Sequence, residues 1–228
     1  MALLGKAAML LWYDIPAAER AGHDDWHTHE HMPERLGIPG FVRGSRWACL
    51  AEGPRYFAMY EVAELNVLVS LRYLERLNNP TPWTTQTMAH FRGMCRGFCK
   101  LTGSAGFGLG QSGFVFRLKP APGRQTHLRD WLKGTELAKI AAKPGVASAH
   151  LFESGLTPPM TGEQALRGKD ATVDWALVVT GYDADSVAAV AHDDLAHSRL
   201  EAQGAAPGCI AAAYRMDYLL NDGESAPA

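Results

Sequence analysis

Apolar and polar positions follow two rhythms along this chain, one of period two and one near 3.6. Ala8 to Tyr13 is an apolar run closed by Asp14-Ile15-Pro16 and predicts a buried strand. From Ala17 a polar stretch of helical character runs to about His31. Pro33 has no N–H to offer the carbonyl of residue 29, so a kink or an end is expected there. Phe41 to Leu50 alternates as a strand, Glu52-Gly53-Pro54 marks a turn, and Arg55 to Val62 answers as the second arm of a hairpin. That arm sets Tyr56, Ala58, Tyr60 and Val62 on one face. Apolar residues at 67, 68, 71, 74 and 77 predict a helix over Val67 to Leu77, stopped by Asn78-Asn79-Pro80-Thr81-Pro82. Trp83 to Phe91 has no clear period, and Met94 to Leu101 reads as a strand. The glycine-rich stretch Gly103-Ser104-Ala105-Gly106-Phe107-Gly108-Leu109-Gly110 reads as a linker; it lacks the Lys-Ser/Thr of a phosphate-binding loop.

The same order then returns. Gly113 to Leu118 is a predicted strand, Gln125 to Ala142 a helix, Val146 to Phe152 and Val173 to Tyr182 strands around a polar loop. Ala184 to Gln203 is a helix, Cys209 to Leu219 the last strand, and Asn221 to Ala228 a polar tail expected to be disordered. Two markers support a repeat. Asp25-Trp26 precedes Pro39-Gly40 as Asp130-Trp131 precedes Pro144-Gly145, and both pairs are offset by 105 residues. Each half is thus β-α-β-β-α-β, the ferredoxin-like unit. One such unit leaves a sheet face bare, and a second copy can cover it. The expected fold is α+β, two tandem ferredoxin-like repeats over 1–104 and 105–228 that close an α/β barrel within one chain.

Composition narrows the function classes. The chain has 228 residues, is 47 % hydrophobic and 20 % charged, and carries a net charge of −2 with both signs interspersed. Neither a basic footprint for nucleic acid nor a basic segment for a membrane surface is visible. No apolar run approaches the ~20 residues that span a bilayer. The start of the chain reads as a first strand rather than a signal peptide, because Asp14 interrupts its short apolar run. Cys49, Cys95, Cys99 and Cys209 lack zinc-like spacing and read as reduced thiols. A cytoplasmic location is expected.

The densest chemistry lies in Asp25-Trp26-His27-Thr28-His29-Glu30-His31-Met32-Pro33-Glu34-Arg35-Leu36, which holds three of the nine histidines. On a helix His27 and His31 share a face and His29 points elsewhere. Histidine beside carboxylate suits acid–base work, since its ordinary pKa lies near neutrality.

Trp26, Glu30-His31, Pro33-Glu34-Arg35 and Ile38-Pro39-Gly40-Phe41, followed by Arg43, Arg46-Trp47, Gly53-x-x-Tyr56 and Tyr60-Glu61, resemble the dimeric α/β-barrel proteins, especially their EthD-like branch. Asn79-Pro80-Thr81-Pro82-Trp83-Thr84 fits the same resemblance, which is specific over residues 8 to 92 and architectural beyond. It implies a pocket between the first repeat's helices and its sheet. There His31 would move a proton, Glu30 or Glu34 would orient it, Arg43 or Arg46 would bind an anionic or carbonyl oxygen, and Tyr60 would offer a hydroxyl. His27 would line the pocket, and Trp26, Trp47 and Trp83 would wall it. In the second copy Glu136 stands for His31 and Ala138 for Pro33, so one active half is expected.

Three functions stay open at this point. The first is a cofactor-independent isomerase, lyase, cyclase or monooxygenase-like enzyme acting on a small apolar carbonyl or aromatic metabolite, with no metal and no partner other than that small molecule. The second is a haem- or metal-dependent enzyme, with His127, His150, His192 and His197 available in the second half. The third is a non-catalytic binding barrel. A homodimer through the outer surfaces is compatible with each.

Overall fold

The computed structural model describes residues 2–50 and 52–224. In chain order the first half comprises β1 (Ala7–Asp14), α1 (Arg20–Trp26), α2 (Met32–Leu36), β2 (Phe41–Cys49), β3 (Tyr56–Val62), α3 (Leu71–Asn78), α4 (Pro82–Met88) and β4 (Arg92–Gly106). The second comprises β5 (Ser112–Leu118), α5 (Gln125–Trp131), α6 (Leu137–Ala141), β6 (Val146–Leu156), α7 (Gly162–Arg167), β7 (Ala171–Thr172), β8 (Trp175–Gly181), α8 (Ala184–His192), α9 (His197–Ala202) and β9 (Ile210–Asn221).

Eight strands close a barrel in the order β1-β3-β2-β9-β5-β8-β6-β4, with β4 returning to β1, and every pairing in that ring is antiparallel. Each half contributes a quartet ordered fourth-first-third-second: β4-β1-β3-β2 and β9-β5-β8-β6. The seams between quartets are β2 with β9 and β4 with β6. A barrel removes the exposed edges that a four-stranded sheet would carry.

Period-two alternation sorts side chains into three cores. From β1, Ala8, Leu10 and Trp12 enter the barrel with Trp47, Phe57 and Met59, while Met9, Leu11 and Tyr13 face the first half's helices with Ala58, Tyr60 and Val62. A third cluster, including Leu128, Leu132, Leu151 and Leu177, fills the helix–sheet layer of the second half. The four cysteines are buried and no disulfide joins them. No helix among the described residues is long and apolar enough to cross a membrane.

Several expectations change. The first helix does not end at Pro33. It passes from α1 through a π-turn at His27–His31 into α2, with the Met32 N–H bonded to the His27 carbonyl. The widened turn steps the hydrogen-bond register back by one residue just where proline removes a donor. Proline is not its only cause, because Leu132–Glu136 is a π-turn at the corresponding place with no proline. The expected helix 67–77 is a 3₁₀ turn (Leu65–Val69) followed by α3, which Ser70 caps through the Tyr73 N–H. The segment without a clear period contains α4, started by the Thr81 cap and Pro82. Ala184 to Gln203 divides into α8 and α9.

The glycine-rich linker is a strand as far as Gly106: β4 lies on β1 over its first part and on β6 over its second. Glycine suits that crossing, since a Cβ at Gly103 would come within 2.8 Å of Leu137. The limit at 104/105 therefore falls inside a strand shared by both quartets. Of the tail, Asn221 ends β9, 222–224 turn, and 225–228 lie outside the described residues.

Candidate active site

The helix of the first half carries His23, His27, His31 and Arg35 at intervals of four. In an ideal α-helix each such step rotates by about 40° beyond a full turn. The wider π-turn gives part of this back, and His27 and His31 stay neighbours, ring centres 5.7 Å apart and tilted by 33°. Trp26 lies against His31 at 4.3 Å. All four polar side chains are buried, His23 at 1 %, His27 at 2 %, His31 at 7 % and Arg35 at 1 % exposure. Burial disfavours the imidazolium, so the three histidines titrate below their ordinary value, His27 and His31 well below it; Arg35 adds to the effect on His31.

Trp26, His27, His31 and Arg35 line a cleft between the helices and the first quartet. Met9, Leu11, Tyr13 and Ala58 form its floor, Trp26, His27, His31 and Tyr60 one wall, and Met88, Phe91 and Met94 another. It is narrow, leaving only about 30 Å³ for the centres of water-sized molecules. What closes it is α7, which the second half sends across. The Gly162 N–H donates to Asn78 Oδ1 (3.0 Å), Glu163 pairs with Arg35, Gln164 accepts from Arg96 (3.2 Å), and Arg167 reaches Met88 Sδ (3.6 Å).

Hydrogen bonding fixes two tautomers. Arg46 Nη1 lies 3.4 Å from His27 Nδ1, and a guanidinium can only donate, so Nδ1 accepts and the proton sits on Nε2. His27 Nε2–H then donates to Tyr60 Oη at 2.9 Å, which leaves the Tyr60 hydroxyl proton free for the cleft. Burial raises the Tyr60 pKa and keeps that proton in place. His23 is used differently: Nδ1 donates to Asp24 Oδ1 (3.0 Å) and Nε2 accepts from Tyr13 (3.1 Å). His31 has no such commitment. Its Nδ1 is buried without a hydrogen-bond partner.

The structure brings together some of the expected residues and not others. Trp26, His27, His31 and Tyr60 share the cleft. Arg46 stands behind His27, also donating to Asp24 O and Thr28 Oγ1 (both 3.1 Å) and lying over Tyr218. Glu30 accepts from Trp26 Nε1 (3.2 Å), Thr81 Oγ1 (2.6 Å) and Thr84 Oγ1 (3.1 Å), so it holds the tryptophan rather than His31. Glu34 pairs with Arg35 at 3.0 Å. Arg43 and Trp47 take the other face of β2. Arg43 pairs with Glu61 at 2.5 Å inside the barrel, and Trp47 packs in the barrel core with Nε1 on Ser45 Oγ (2.9 Å). Trp83 is 39 % exposed on α4. Tyr13, Arg35, Arg96, Glu163 and Arg167 join the cleft without having been expected from the sequence, and His23, equally unexpected, lies buried beside it against Tyr13 and His27. Spacing by fours from His27 would have found His23 and Arg35; nothing local marks α7 as a cover for the other half.

The second half has a groove at the matching place, lined by Phe114, Phe116, Ala191, His192, Ala196, His197 and Ala211, with about 310 Å³ for water-sized centres. A haem would need a buried axial nitrogen beside a slot wide enough for the macrocycle. The cleft has the buried histidines without the width, and the groove has width with His192 and His197 exposed, so neither fits haem as it stands. Among the described residues no three His, Cys, Asp or Glu side chains converge as a metal site.

No protein-family model and no curated protein sequence matches the chain. Solved structures do. An anthrone oxidase-like protein superposes with a TM-score of 0.70 at 11 % identity, over 100 % of this chain and 98 % of its own. A candidate monooxygenase from Lactobacillus acidophilus gives 0.60 at 8 % identity, over 95 % and 96 %. A haem-binding protein from Thermus thermophilus gives 0.52 at 8 % identity, over 97 % and 94 %. Identities this low speak for fold alone. With an antiparallel eight-stranded barrel flanked by helices in both halves, the chain has the dimeric α/β-barrel fold, built within a single polypeptide.

Proposed function

We propose that the chain is a tandem duplication of an EthD-like unit, 1–104 and 105–228, whose first copy alone is an enzyme. It acts without a cofactor on a small, apolar, ring-shaped carbonyl compound, moving a proton next to the carbonyl. The observation that carries this reading is His31: a neutral, buried imidazole on the wall of an apolar cleft, with a nitrogen that no protein group satisfies. A buried polar atom left unpaired costs about 1–3 kcal/mol, and such costs persist where a function uses them.

In the proposed step the C–H bond beside the carbonyl breaks, its electron pair enters the enolate, and the proton goes to His31. Tyr60, its hydroxyl proton freed by the Arg46–His27 relay, donates to the developing oxyanion. Arg46 is therefore a positioning residue. Trp26, packed at a tilt against His31, restrains the imidazole ring, and Glu30 fixes Trp26. Arg35 contributes positive charge at the same wall and disfavours protonation of His31 before substrate arrives. An aromatic ring exceeds the space now open, so entry requires α7 to lift. The fold match to an anthrone oxidase-like protein makes anthrone a natural probe, beside 2-tetralone.

The test is deuterium wash-in at the activated carbon of these two ketones in heavy water, followed by proton NMR. Wild-type protein is expected to accelerate it over buffer, with His31→Gln returning to the buffer rate and His29→Gln keeping the wild-type rate. No acceleration, or full acceleration by His31→Gln, would overturn the reading.

A further inference from the structure

Across the cleft from Trp26, two arginines share one carboxylate. Arg96 on β4 and Arg167 on α7 both address Asp170 Oδ2, at 2.9 and 3.0 Å, and all three side chains are nearly fully buried. Arg167 places Nε and Nη2 on Asp170 (3.1 and 3.0 Å), leaving Nη1 with the Met88 thioether alone. Arg96 gives Nη2 to Gln164 Oε1; its Nε lies near Asp170 but out of line, a buried donor without a hydrogen bond. Glu163 pairs with Arg35, which Glu34 also contacts, and its carboxylate acts on Arg96 as well, so the charges at this wall are balanced and what is left over is donors. The Arg96–Arg167–Asp170 group thus keeps two guanidinium nitrogens without an oxygen acceptor, Arg96 Nε and Arg167 Nη1, in a nearly dry site, an arrangement that an incoming anion completes.

The covering helix fits that role. Its buried residues are Glu163 and Gln164, with no apolar side chain among them, and Leu166 is 40 % exposed. Polar and ionic contacts dominate its attachment to the first half, so lifting it uncovers guanidiniums rather than core.

Building on the proton-transfer reading, we propose that the substrate of this cleft is an acid. An apolar ring rests on Leu11, Met88 and Phe91, and its carboxylate docks between Arg96 and Arg167. Paired guanidiniums match a carboxylate because their planar forks donate two parallel hydrogen bonds. The second half offers no equivalent: Ala211 stands where Arg96 stands, as the pairings Leu11↔Arg96 and Phe116↔Ala211 show.

Calorimetric titration of the full chain with 2-naphthoate and with methyl 2-naphthoate tests this. The acid is expected to bind at least about tenfold more tightly than the ester, in line with hydrogen bonds to charged groups. Arg96→Gln and Arg167→Gln should abolish that preference without weakening the ester. Should Arg96→Gln fail to fold, Arg167→Gln decides alone, since it sits on the covering helix and outside the barrel. His31→Gln should keep the preference while losing deuterium wash-in, so failure of one reading is separable from failure of the other. Equal affinities, a preference that survives Arg167→Gln, or no binding of the acid at about 1 mM would overturn the proposal.

Discussion

The helix over the first quartet turns His23, His27, His31 and Arg35 toward its sheet, while the helix over the second turns Leu128, Leu132, Glu136 and Ile140. The sheets beneath differ in the same sense. Matching strand registers set Tyr13 against Leu118, Arg46 against Leu151, Tyr56 against Trp175 and Tyr60 against Val179. One backbone, down to a π-turn at the same place, carries a polar cluster in one half and a leucine-rich core in the other. Glu136, the one acid at the second set of positions, is neutralised by Arg199 at 3.1 Å and Lys139 at 3.8 Å. The lesson is that the π-turn belongs to the architecture and the chemistry to the side chains placed on it.

The halves also exchange cover. The 105-residue offset that relates β1 and β2 to β5 and β6 grows to 119 between Tyr60 and Val179, so fourteen extra residues lie between β6 and β8. That insertion bears α7, which closes the first half's cleft. The connection between β2 and β3 is short, and the second half's groove stays open.

The contrast is broken most severely by exchanging its key residue. His31→Gln is expected to lower proton transfer by about 10²–10⁴-fold, the usual worth of a positioned acid–base group, while Glu136→Gln leaves the rate within about twofold. Next comes the ion pair under α7. Arg35 and Glu163 are both buried, so Glu163→Ala leaves Arg35 to Glu34 alone and should cost about 3 kcal/mol in urea unfolding. Glu136→Ala leaves behind only half-exposed cations and should cost under about 1 kcal/mol.

Acid sharpens the comparison. The folded-state pKa values of His23, His27 and His31 are depressed by burial, so below about 6.5 the unfolded chain binds more protons than the folded one. Their contribution is fully present above that value and is lost as pH falls, at up to about 1.4 kcal/mol per pH unit for each group. His150, inside the barrel with a pKa near 3, adds to the same slope. Replacing His27 and His31 by leucine should flatten the stability–pH curve by about two protons. At neutral pH His31→Leu should raise stability by about 1 kcal/mol, since it removes an unsatisfied buried atom from the first half. The smallest effect is expected from Trp83→Ala, which should leave 2-naphthoate affinity within about twofold because that ring lies outside the cleft.

Much of this architecture was legible in the sequence. Apolar alternation located the strands of the barrel, and the two Trp–Pro-Gly markers gave the offset that relates β1 and β2 to β5 and β6, though not that of the later strands. The glycine stretch misled because composition alone cannot separate a flexible linker from a strand crowded by a helix at Leu137. Pro33 marked the place of an irregularity but not its form: a π-turn over His27–His31 accommodates the missing donor, and the helix runs on to Leu36. In the site, His27, His31, Trp26 and Tyr60 could be named from the first repeat. Arg43 and Trp47 sit one strand position out of phase with the cleft, and strand parity relative to the helices is a tertiary fact. Glu163 and Arg167 lay beyond reach because they meet the cleft on α7, which the other half sends across, and Arg96 because its partners Gln164 and Asp170 come with that crossing.

What sets the first half apart is a neutral histidine with an unpartnered Nδ1 on the wall of a cleft; His150, unpartnered at Nε2, lies inside the barrel. Two-bond nitrogen–proton NMR of the imidazoles, titrated with acid and then with 2-tetralone, tests this distinction most directly. The expected result is a His31 ring that stays neutral well below the ordinary histidine value and shifts on adding the ketone, while His150 does not respond. A His31 ring that titrates near about 6.5 and ignores the ketone would contradict it.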